Sequence, residues 1–438
     1  MTKRKLPFLS IPFLVILGRV GGFLIPFLIA FVYGAGPATD AFFLAFWIAY
    51  FFVGLFTHLL ESVLIPYLME YKKHPEKVSS IANGVGGISF LAVLACGLGT
   101  GLFLALGLDR VSGLSREYAG LVARVFLEMS PLLFFGVLIS SAHSVFYTYK
   151  VFWFPAISPA IRSLAVIFFI WALQPRLGIH AAGWGFALGE TLRGLVTVVL
   201  LSRLTPWQWG IRWRQVRDQV RHFFAHSRYQ ILAISAANLI PLTDQWFASW
   251  LGEGKVSLLT YADRMIFIPY QLILVGFLHM YHADWSESYY QESTKIFWPK
   301  IRKDIRQVTG IVAAGALGMW VFRDFLIARV YGSGNLGANE LKALSGLFGW
   351  FAVAFVPGVV NLLYSRVLFV MKKAAFCSVY ACAQFGANFI LDYALMRLYG
   401  INGIAAATAV VSSLTALGLH FYLRPYGKNR EVVSCETR

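Results

Sequence analysis

The sequence predicts an all-α polytopic membrane protein, with about 12 transmembrane helices in two parallel six-helix lobes around a central cavity. Of its 438 residues, 58% are hydrophobic and only 13% are charged, about half the charged fraction of an average soluble domain. Apolar stretches of roughly 20 residues, long enough to cross a bilayer, recur along the chain. Basic residues concentrate in alternate connections between these stretches, as the positive-inside rule requires.

Twelve apolar segments are predicted to cross the membrane. Their ranges are 10–32, 40–68, 80–107, 118–147, 154–173, 179–202, 229–251, 260–285, 306–330, 342–370, 374–398 and 402–424. The first segment is too long for a cleaved signal peptide, so we expect it to be retained. With the N-terminus in the cytoplasm, cytoplasmic connections hold far more Lys and Arg than the opposite ones. Both termini are therefore expected on the cytoplasmic side. The net charge of +17 is explained by basic residues that set the membrane topology and contact lipid headgroups, so nucleic acid is not an expected partner.

The longest hydrophilic stretch divides the spans six and six. It predicts an N-terminal lobe at 1–202, a cytoplasmic amphipathic linker helix at 203–228 and a C-terminal lobe at 229–438. Apolar side chains of the linker recur at helical spacing, with arginines on the opposite face. Such a helix is expected to lie in the membrane interface, although a plain linker helix also fits the pattern.

Short glycine motifs indicate that the two halves are repeats. Gly34-Ala35-Gly36 follows the first span and Gly252-Glu253-Gly254 follows the seventh. Gly178 precedes the sixth span and Gly400 precedes the twelfth, at nearly the same offset along the chain. Because six spans separate the motifs, both halves start on the same side, which predicts parallel repeats with a cavity between them.

Charged residues within the apolar segments are the candidates for function, because each charge near the bilayer centre costs at least a few kcal/mol. The basic ones are Arg19, Arg124, Arg162, Arg193, Arg264 and Arg323, and the acids include Asp40, Glu61, Glu128, Glu190, Asp244, Asp263 and Asp392. Helical spacing predicts structural ion pairs between Glu190 and Arg193 and between Arg124 and Glu128. Glu61 and Arg162 are expected near a membrane interface.

Arg19 differs from the other arginines because no acid lies near it in sequence. It is about nine residues into the first span, which places it roughly 14 Å from the start of that helix. The neighbouring Gly18, Gly21 and Gly22 would let another helix or a ligand approach closely. We favour a cavity-facing Arg19 over an interhelical salt bridge.

Arg264 and Asp40 leave two interpretations open on residue type alone. Arg264 follows Asp263 near the start of the eighth span, where an arginine can also extend outward to the membrane surface. Asp40 opens the second span, where a carboxylate also suits the helix N-terminus.

Two stretches of the chain resemble the lipid II flippase (MurJ/MviN) family of the MOP exporter superfamily, whose fold is shared by MATE transporters. The first comprises Gly18-Arg19-Val20-Gly21-Gly22-Phe23 and Tyr33-Gly34-Ala35-Gly36-Pro37-Ala38-Thr39-Asp40-Ala41-Phe42-Phe43. The second is Phe247-Ala248-Ser249-Trp250-Leu251, followed by Tyr261-Ala262-Asp263-Arg264. The resemblance implies that Arg19 and Arg264 bind the diphosphate of a lipid-linked glycan. It implies a gating role for Asp40; Asp263 and Asp244 are further candidates for gating or ion coupling.

The chain also departs from the pattern of that family. Ile25 and Pro26 stand where the family carries an arginine and an acid, and the run 49–54 lacks the basic residues of the second span. The family's lipid II flippases also have two additional C-terminal spans. The expected cavity is therefore less cationic, which keeps another lipid-linked oligosaccharide open as cargo.

The expected function is a flippase for an undecaprenyl-diphosphate-linked glycan of the lipid II type, acting by alternating access in the bacterial cytoplasmic membrane. The alternatives are a flippase for an O-antigen, capsule or exopolysaccharide precursor, and a drug or cation antiporter of the same fold. An enzyme is not expected, because the sequence has no clustered metal ligands and no sizeable soluble domain. No cofactor or metal is expected, and coupling to the membrane potential or to a monovalent ion is left open. The expected partners are the lipid-linked oligosaccharide and the bilayer, and we expect a monomer.

Overall fold

The computed structural model describes residues 10–109, 115–210, 213–273, 281, 284–285, 288–289, 294–371 and 373–427. All regular secondary structure within these ranges is helical. The helices are α1 Ser10–Tyr33, α2 Pro37–Leu59, α3 Ile65–Glu70, α4 Pro75–Leu106, α5 Arg116–Glu128, α6 Ser130–Thr148, α7 Trp153–Ile157, α8 Pro159–Leu177, α9 His180–Leu204, α10 Trp213–Ser249, α11 Lys255–Ile273, α12 Thr294–Val321, α13 Arg323–Tyr331, α14 Ala338–Val370, α15 Ala374–Tyr399 and α16 Ile401–Leu423.

The helices confirm an all-α polytopic membrane protein. Eight continuous helical stretches within the described ranges are long and apolar enough to cross a membrane, and a ninth is formed if α12 and α13, bent by 70° at their junction, count as one span. The remaining predicted spans, at 229–251, 260–285 and 374–398, fall on α10, α11 and α15. Within the described residues, every predicted span falls on helical segments, while residues 274–280 and 282–283 of the span predicted at 260–285 lie outside them.

Contacts group the chain into two compact units, Met1–Ser257 and Leu258–Arg438. In the first unit, α8 and α9 pack closely because glycines of α9 meet the backbone of α8. A Cβ on Gly185 would lie 2.8 Å from Cα of Val166, and one on Gly189 would lie 2.9 Å from Cα of Arg162. Small residues at such contacts are typical of membrane helices, since they let the backbones approach.

Helix α10 joins the predicted linker to the predicted seventh span without a break. It runs for 37 residues, about 55 Å, because its sequence from 213 to 240 contains neither Gly nor Pro. Its buried Phe223 contacts the Tyr67 ring of α3 at 5.9 Å, and the Tyr67 hydroxyl donates to the carbonyl of Gln219 at 3.0 Å. The apolar face therefore packs on protein. Contacts place all of α10 in the first unit, whereas the sequence assigned 229–251 to the C-terminal lobe.

The second unit has an apolar core between α12, α14 and α16. The tight turn between α15 and α16 brings Gly403 so close to the preceding helix that a Cβ there would lie 2.1 Å from the carbonyl oxygen of Leu395. Gly400 at this turn has φ 57° and ψ −138°, and Gly178 before α9 has φ 55° and ψ −137°. This left-handed φ favours glycine. The matched conformations fit the predicted repeat.

Candidate functional site

Arg19 lies on α1 with its side chain exposed. The adjacent Gly18 packs against the α7–α8 junction, where a Cβ would lie 2.2 Å from the carbonyl oxygen of Ala156. This contact agrees with the expectation that glycines beside Arg19 permit close helix packing. Arg19 lies close enough to His58 and Tyr147 for its charge to act on both. An arginine exposed here can present its planar set of donors to an anionic ligand.

Arg264 lies on α11 with most of its side chain buried. Its Nε is 4.0 Å from Oδ2 of Asp263, and its guanidinium lies 5.1 Å from the ring centre of Phe267. The charges of both residues act on the Tyr331 phenol, which donates to the carbonyl of Tyr261 at 3.1 Å. Asp263 and Arg264 thus place a carboxylate and a guanidinium next to each other near the start of α11.

Asp40 is buried and holds the start of α11. Its Oδ1 accepts from the backbone N–H of Ser257 at 2.8 Å and from the Ser257 hydroxyl at 2.5 Å. The Ser257 hydroxyl also lies 2.8 Å from Oγ1 of Thr39. Gly254, with φ 78°, contacts the carbonyl of Ala35. The two similar glycine motifs after the first and seventh spans therefore meet at this point.

A cavity of about 340 Å³ adjoins Asp40. Its wall carries the carboxylates of Glu117 and Glu253 and the phenol of Tyr118. Asp244, the other acid proposed for ion coupling, is buried on α10. No group of three or more His, Cys, Asp or Glu side chains suited to a metal ion occurs within the described ranges.

The predicted pair of Glu190 and Arg193 is confirmed, with 2.9 Å between Oε1 and NH1. The predicted ion pair of Arg124 and Glu128 is wrong. Glu128 Oε1 lies 2.7 Å from Nδ1 of His180, while the Arg124 side chain is exposed. His180, which lies on another helix, pairs with Glu128 because its ring nitrogen reaches the partly buried carboxylate directly.

Sequence reasoning missed a polar network inside the first unit. Glu61 lies 3.1 Å from the buried His143, and Arg162 contacts Glu190 at 3.4 Å. A signal was present in the polar run Ser140-Ser141-Ala142-His143-Ser144 within an otherwise apolar span. Five successive residues cover more than one helical turn, and all five are buried, so protein surrounds this part of α6.

Comparison with solved structures defines the class of protein. The fold is similar to that of a lipid II flippase MurJ in an inward closed conformation, with a TM-score of 0.82 and 21% identity over 95% of this chain and 87% of that one. It is also similar to an inward-facing multidrug resistance MATE family transporter of the MOP superfamily, with a TM-score of 0.76 and 13% identity over 98% and 99% of the chains. These similarities show that the chain has the fold of the MurJ and MATE proteins of solved structure.

Sequence comparison defines the family. The model of the family "Lipid II flippase MurJ" matches residues 29–432. The chain is 24% identical over 436 residues to the lipid II flippase MurJ of Burkholderia cenocepacia, covering 96% of this chain and 83% of that protein. It is 23% identical to a probable lipid II flippase MurJ of Vibrio cholerae, covering 93% and 81%. The chain belongs to the lipid II flippase MurJ family.

Proposed function

We propose that this protein is a flippase that moves an undecaprenyl-diphosphate-linked glycan, lipid II or a close relative, from the inner to the outer leaflet of the bacterial cytoplasmic membrane. Membership of the MurJ family carries the proposal. The N-terminus is placed in the cytoplasm because of the distribution of basic residues. The protein acts as a transporter rather than a catalyst.

Arg19 and Arg264 are proposed to bind the diphosphate. A diphosphate entering a region of low dielectric needs fixed positive charge, and arginine supplies it with two parallel donors per phosphate. The exposed side chain of Arg19 on α1 and the place of Arg264 in the motif Tyr261-Ala262-Asp263-Arg264 support this role.

Transport is proposed to follow alternating access, driven in part by the membrane potential. Moving one charge across the field is worth about 2.3 kcal/mol per 100 mV. Since the cell interior is negative, the field favours outward movement of an anionic headgroup. For the return of the empty carrier, the field favours inward movement of a site with net positive charge and opposes that of a site with net negative charge. Ion coupling would therefore act mainly on the reloading step.

A second cargo is supported by the missing basic residues. Ile25 and Pro26 are both buried and supply no charge. The segment 49–54 consists of apolar side chains, one tyrosine and one glycine. Fewer cations suit a lipid-linked oligosaccharide that makes fewer anionic contacts than lipid II, such as a precursor of an O-antigen, capsule or exopolysaccharide.

The test is complementation of a bacterium depleted of its own lipid II flippase. We expect rescue by the wild type, loss of rescue with Arg19→Ala and with Arg264→Ala, and retention with Arg176→Ala. Arg176 is the matched control because it is an exposed arginine near the end of α8. Expression and membrane insertion are checked for each variant.

Two outcomes would contradict parts of the proposal. Full rescue by both single-alanine variants would remove the arginine site. Failure of a well-inserted wild type would move the cargo to another undecaprenyl-linked glycan, and export of that polymer would then be measured.

A further inference from the structure

A chain of hydrogen-bonded polar side chains runs through the first unit. We call it the buried polar network. Its members are Glu61, His143, Ser158, Arg162, Glu190 and Arg193. They come from the segment after α2 and from α6, α8, α9 and the α7–α8 junction. Charged groups are costly inside a membrane, so a connected set of them needs a reason beyond packing.

The backbone turn that carries Glu61 is irregular. Residues Leu60–Leu64 form a π-helical turn after α2. The Ser144 hydroxyl donates to the carbonyl of Leu60 at 2.8 Å, and Ser140 and Thr57 share a hydrogen bond of 2.8 Å between their hydroxyls. Such turns are frequent at functional sites, and in a membrane their backbone must be satisfied by protein or water. Here α6 supplies the partners and holds Glu61 against His143.

Glu61 and His143 differ in their access to water. The Glu61 side chain is 34% exposed, whereas that of His143 is 4% exposed. Oε1 of Glu61 lies 3.1 Å from Nδ1 of His143. The carboxylate therefore stands between the imidazole and the accessible surface. Because a charge that faces lipid is costly, we expect the exposed side of Glu61 to face water, from which a proton can reach His143.

The second ring nitrogen of His143 faces a hydroxyl that has two acceptors. Nε2 of His143 lies 3.4 Å from Oγ of Ser158, and the carbonyl of Pro155 lies at 3.4 Å from the same Oγ. Nε of Arg193 donates to this Oγ at 3.1 Å. When His143 is neutral with its proton on Nδ1, the Ser158 hydroxyl can donate to Nε2. When His143 is an imidazolium, Nε2–H must donate to Oγ, so the hydroxyl hydrogen turns to Pro155.

The charges around His143 come from each neighbouring element. They are Glu61 and His58 from the π turn and α2, Tyr147 from α6, Arg19 from α1, Arg162 from α8, and Glu190 and Arg193 from α9. Glu190 contacts both Arg193 and Arg162. Glu61 has His143 as its direct partner. The arginines of α8 and α9 contact Glu190 and do not contact Glu61. One proton on the Glu61–His143 pair therefore balances the charge of the Glu61 carboxylate.

Ser158 lies two residues after Ala156, on which the helix that carries Arg19 packs. Gly18 of α1 packs on the carbonyl of Ala156, next in sequence to Pro155, whose carbonyl lies within reach of Oγ of Ser158. A change in the hydrogen bond from Ser158 to the Pro155 carbonyl therefore alters the backbone beside the residue on which α1 packs. These contacts connect His143 to the helix that carries Arg19.

We propose that Glu61 and His143 form a proton-binding site, and that its occupancy is transmitted through Ser158 to α1 and Arg19. The link to transport rests on the proposed flippase function, in which Arg19 binds the anionic headgroup. In this proposal the coupling ion is a proton, and its binding site is separate from Asp40, Asp244 and Asp263. A proton taken up on the Glu61–His143 pair adds one positive charge to the Arg19 surroundings and is released again to water through Glu61.

The first test measures the proton site without any cargo. Protein with carbon-13 in its nine histidines is titrated in lipid nanodiscs between about pH 4.5 and 9, and the His143 signal is assigned by its loss in His143→Gln. We expect this signal to titrate, and its midpoint to move to lower pH by about one unit or more in Glu61→Gln, because the imidazolium loses its counter-charge. His226→Gln is the control, since His226 is exposed on α10.

Two results of this titration would overturn the site. One is a His143 signal that does not change across the range. The other is a midpoint in Glu61→Gln equal to that of the wild type. Glu61→Gln keeps the shape of the side chain, so the comparison does not depend on a disruptive variant.

The second test measures transmission to α1. A fluorinated label is attached at Val20→Cys, which is exposed beside Arg19, in a chain whose native cysteines are replaced. We expect the label signal to change with the same midpoint as His143, and this change to disappear in Ser158→Ala. A label that ignores the titration, or one that responds equally in Ser158→Ala, would overturn the transmission.

Both tests are independent of the cargo. A flippase assay with lipid II in proteoliposomes at several pH values then addresses transport. If lipid II does not move while both titrations behave as expected, the cargo assignment fails and the proton site stands. If lipid II moves with a pH dependence that Glu61→Gln leaves unchanged, the proton has no part in the transport cycle and its role as coupling ion is overturned.

Discussion

The carboxylate of Asp40 holds the first turn of the helix that begins at Lys255, since its Oδ1 accepts from both the backbone N–H and the hydroxyl of Ser257. The first N–H groups of a helix have no partner within the helix. A carboxylate at this position also interacts favourably with the positive end of the helix dipole. Asp40 therefore ties the start of α2 to the start of α11. Asp263 and Arg264 lie further along the same helix.

The first prediction concerns this capping contact. Asp40→Ala is expected to lower the free energy of unfolding by about 1.5–3 kcal/mol, the range for hydrogen bonds to a charged group. Asp40→Asn keeps an acceptor and should lose less. Thermal unfolding in detergent measures both. Glu117→Gln is the control because Glu117 lines the same cavity but is exposed; a loss in the control as large as in Asp40→Ala would rule out the capping explanation.

Ser257→Ala separates the hydroxyl from the backbone contact. It removes the hydroxyl donor to Asp40 and leaves the bond from the Ser257 N–H in place. We expect a smaller loss than for Asp40→Ala, about 1 kcal/mol. A larger loss would mean that Ser257 acts chiefly through Thr39.

The second prediction concerns the packing of α1. In Gly18→Ala the new Cβ would lie 2.2 Å from the backbone oxygen of Ala156, which cannot rotate away. We expect a destabilisation of about 1–3 kcal/mol and a fall in transport, because Arg19 moves with α1. Gly22→Ala is the matched control, since its Cβ would lie an ordinary 3.5 Å from Oγ of Ser163. Equal behaviour of the two variants in unfolding and flippase assays would contradict this account.

Sequence was sufficient to locate the helices, because each crossing needs an apolar stretch of known length. It also predicted the Glu190–Arg193 pair, since residues three apart on a helix are neighbours. The bond between Asp40 and Ser257 joins residues 217 positions apart. Local periodicity holds no information on such a contact, so the sequence indicated only that Asp40 suits a helix N-terminus.

Other features of the helices were not predicted, each for a physical reason. The predicted boundary at 228–229 rests on a change in composition, and α10 continues through it because no residue there breaks a helix. Glu128 was assigned to Arg124 because of spacing, whereas His180 reaches it at 2.7 Å from α9. His143 was overlooked because the polar run 140–144 is short compared with its span, whose mean hydropathy stays high at 1.9. The partner of Glu128 and the role of His143 both depend on which helix faces contact each other, and spacing within one helix does not determine this.

The third prediction concerns the buried pair on α9. Glu190 is 1% exposed and contacts both Arg193 and Arg162. Glu190→Gln leaves two positive charges without their carboxylate, and removing one partner of a buried pair costs about 3–5 kcal/mol. We expect Glu190→Gln combined with Arg193→Gln to recover part of this loss. Unfolding of the single and double variants measures the recovery, and additive losses would show that the pair is not coupled.

The fourth prediction concerns the exposed basic face of α10. Val216, Val220 and Phe223 are buried on the opposite face, which leaves Arg214, Arg217 and Arg221 exposed. Near an anionic membrane each such residue contributes about 1 kcal/mol. The wild type should therefore unfold at a higher temperature in nanodiscs that contain anionic lipid than in neutral ones. This difference should shrink when the three arginines are replaced by glutamine, and it should fall with added salt because the charges are exposed. Substituting Arg176 instead, an exposed arginine at the end of α8, should leave the lipid dependence unchanged. A lipid dependence that survives the triple replacement would place the anionic contact elsewhere on the protein.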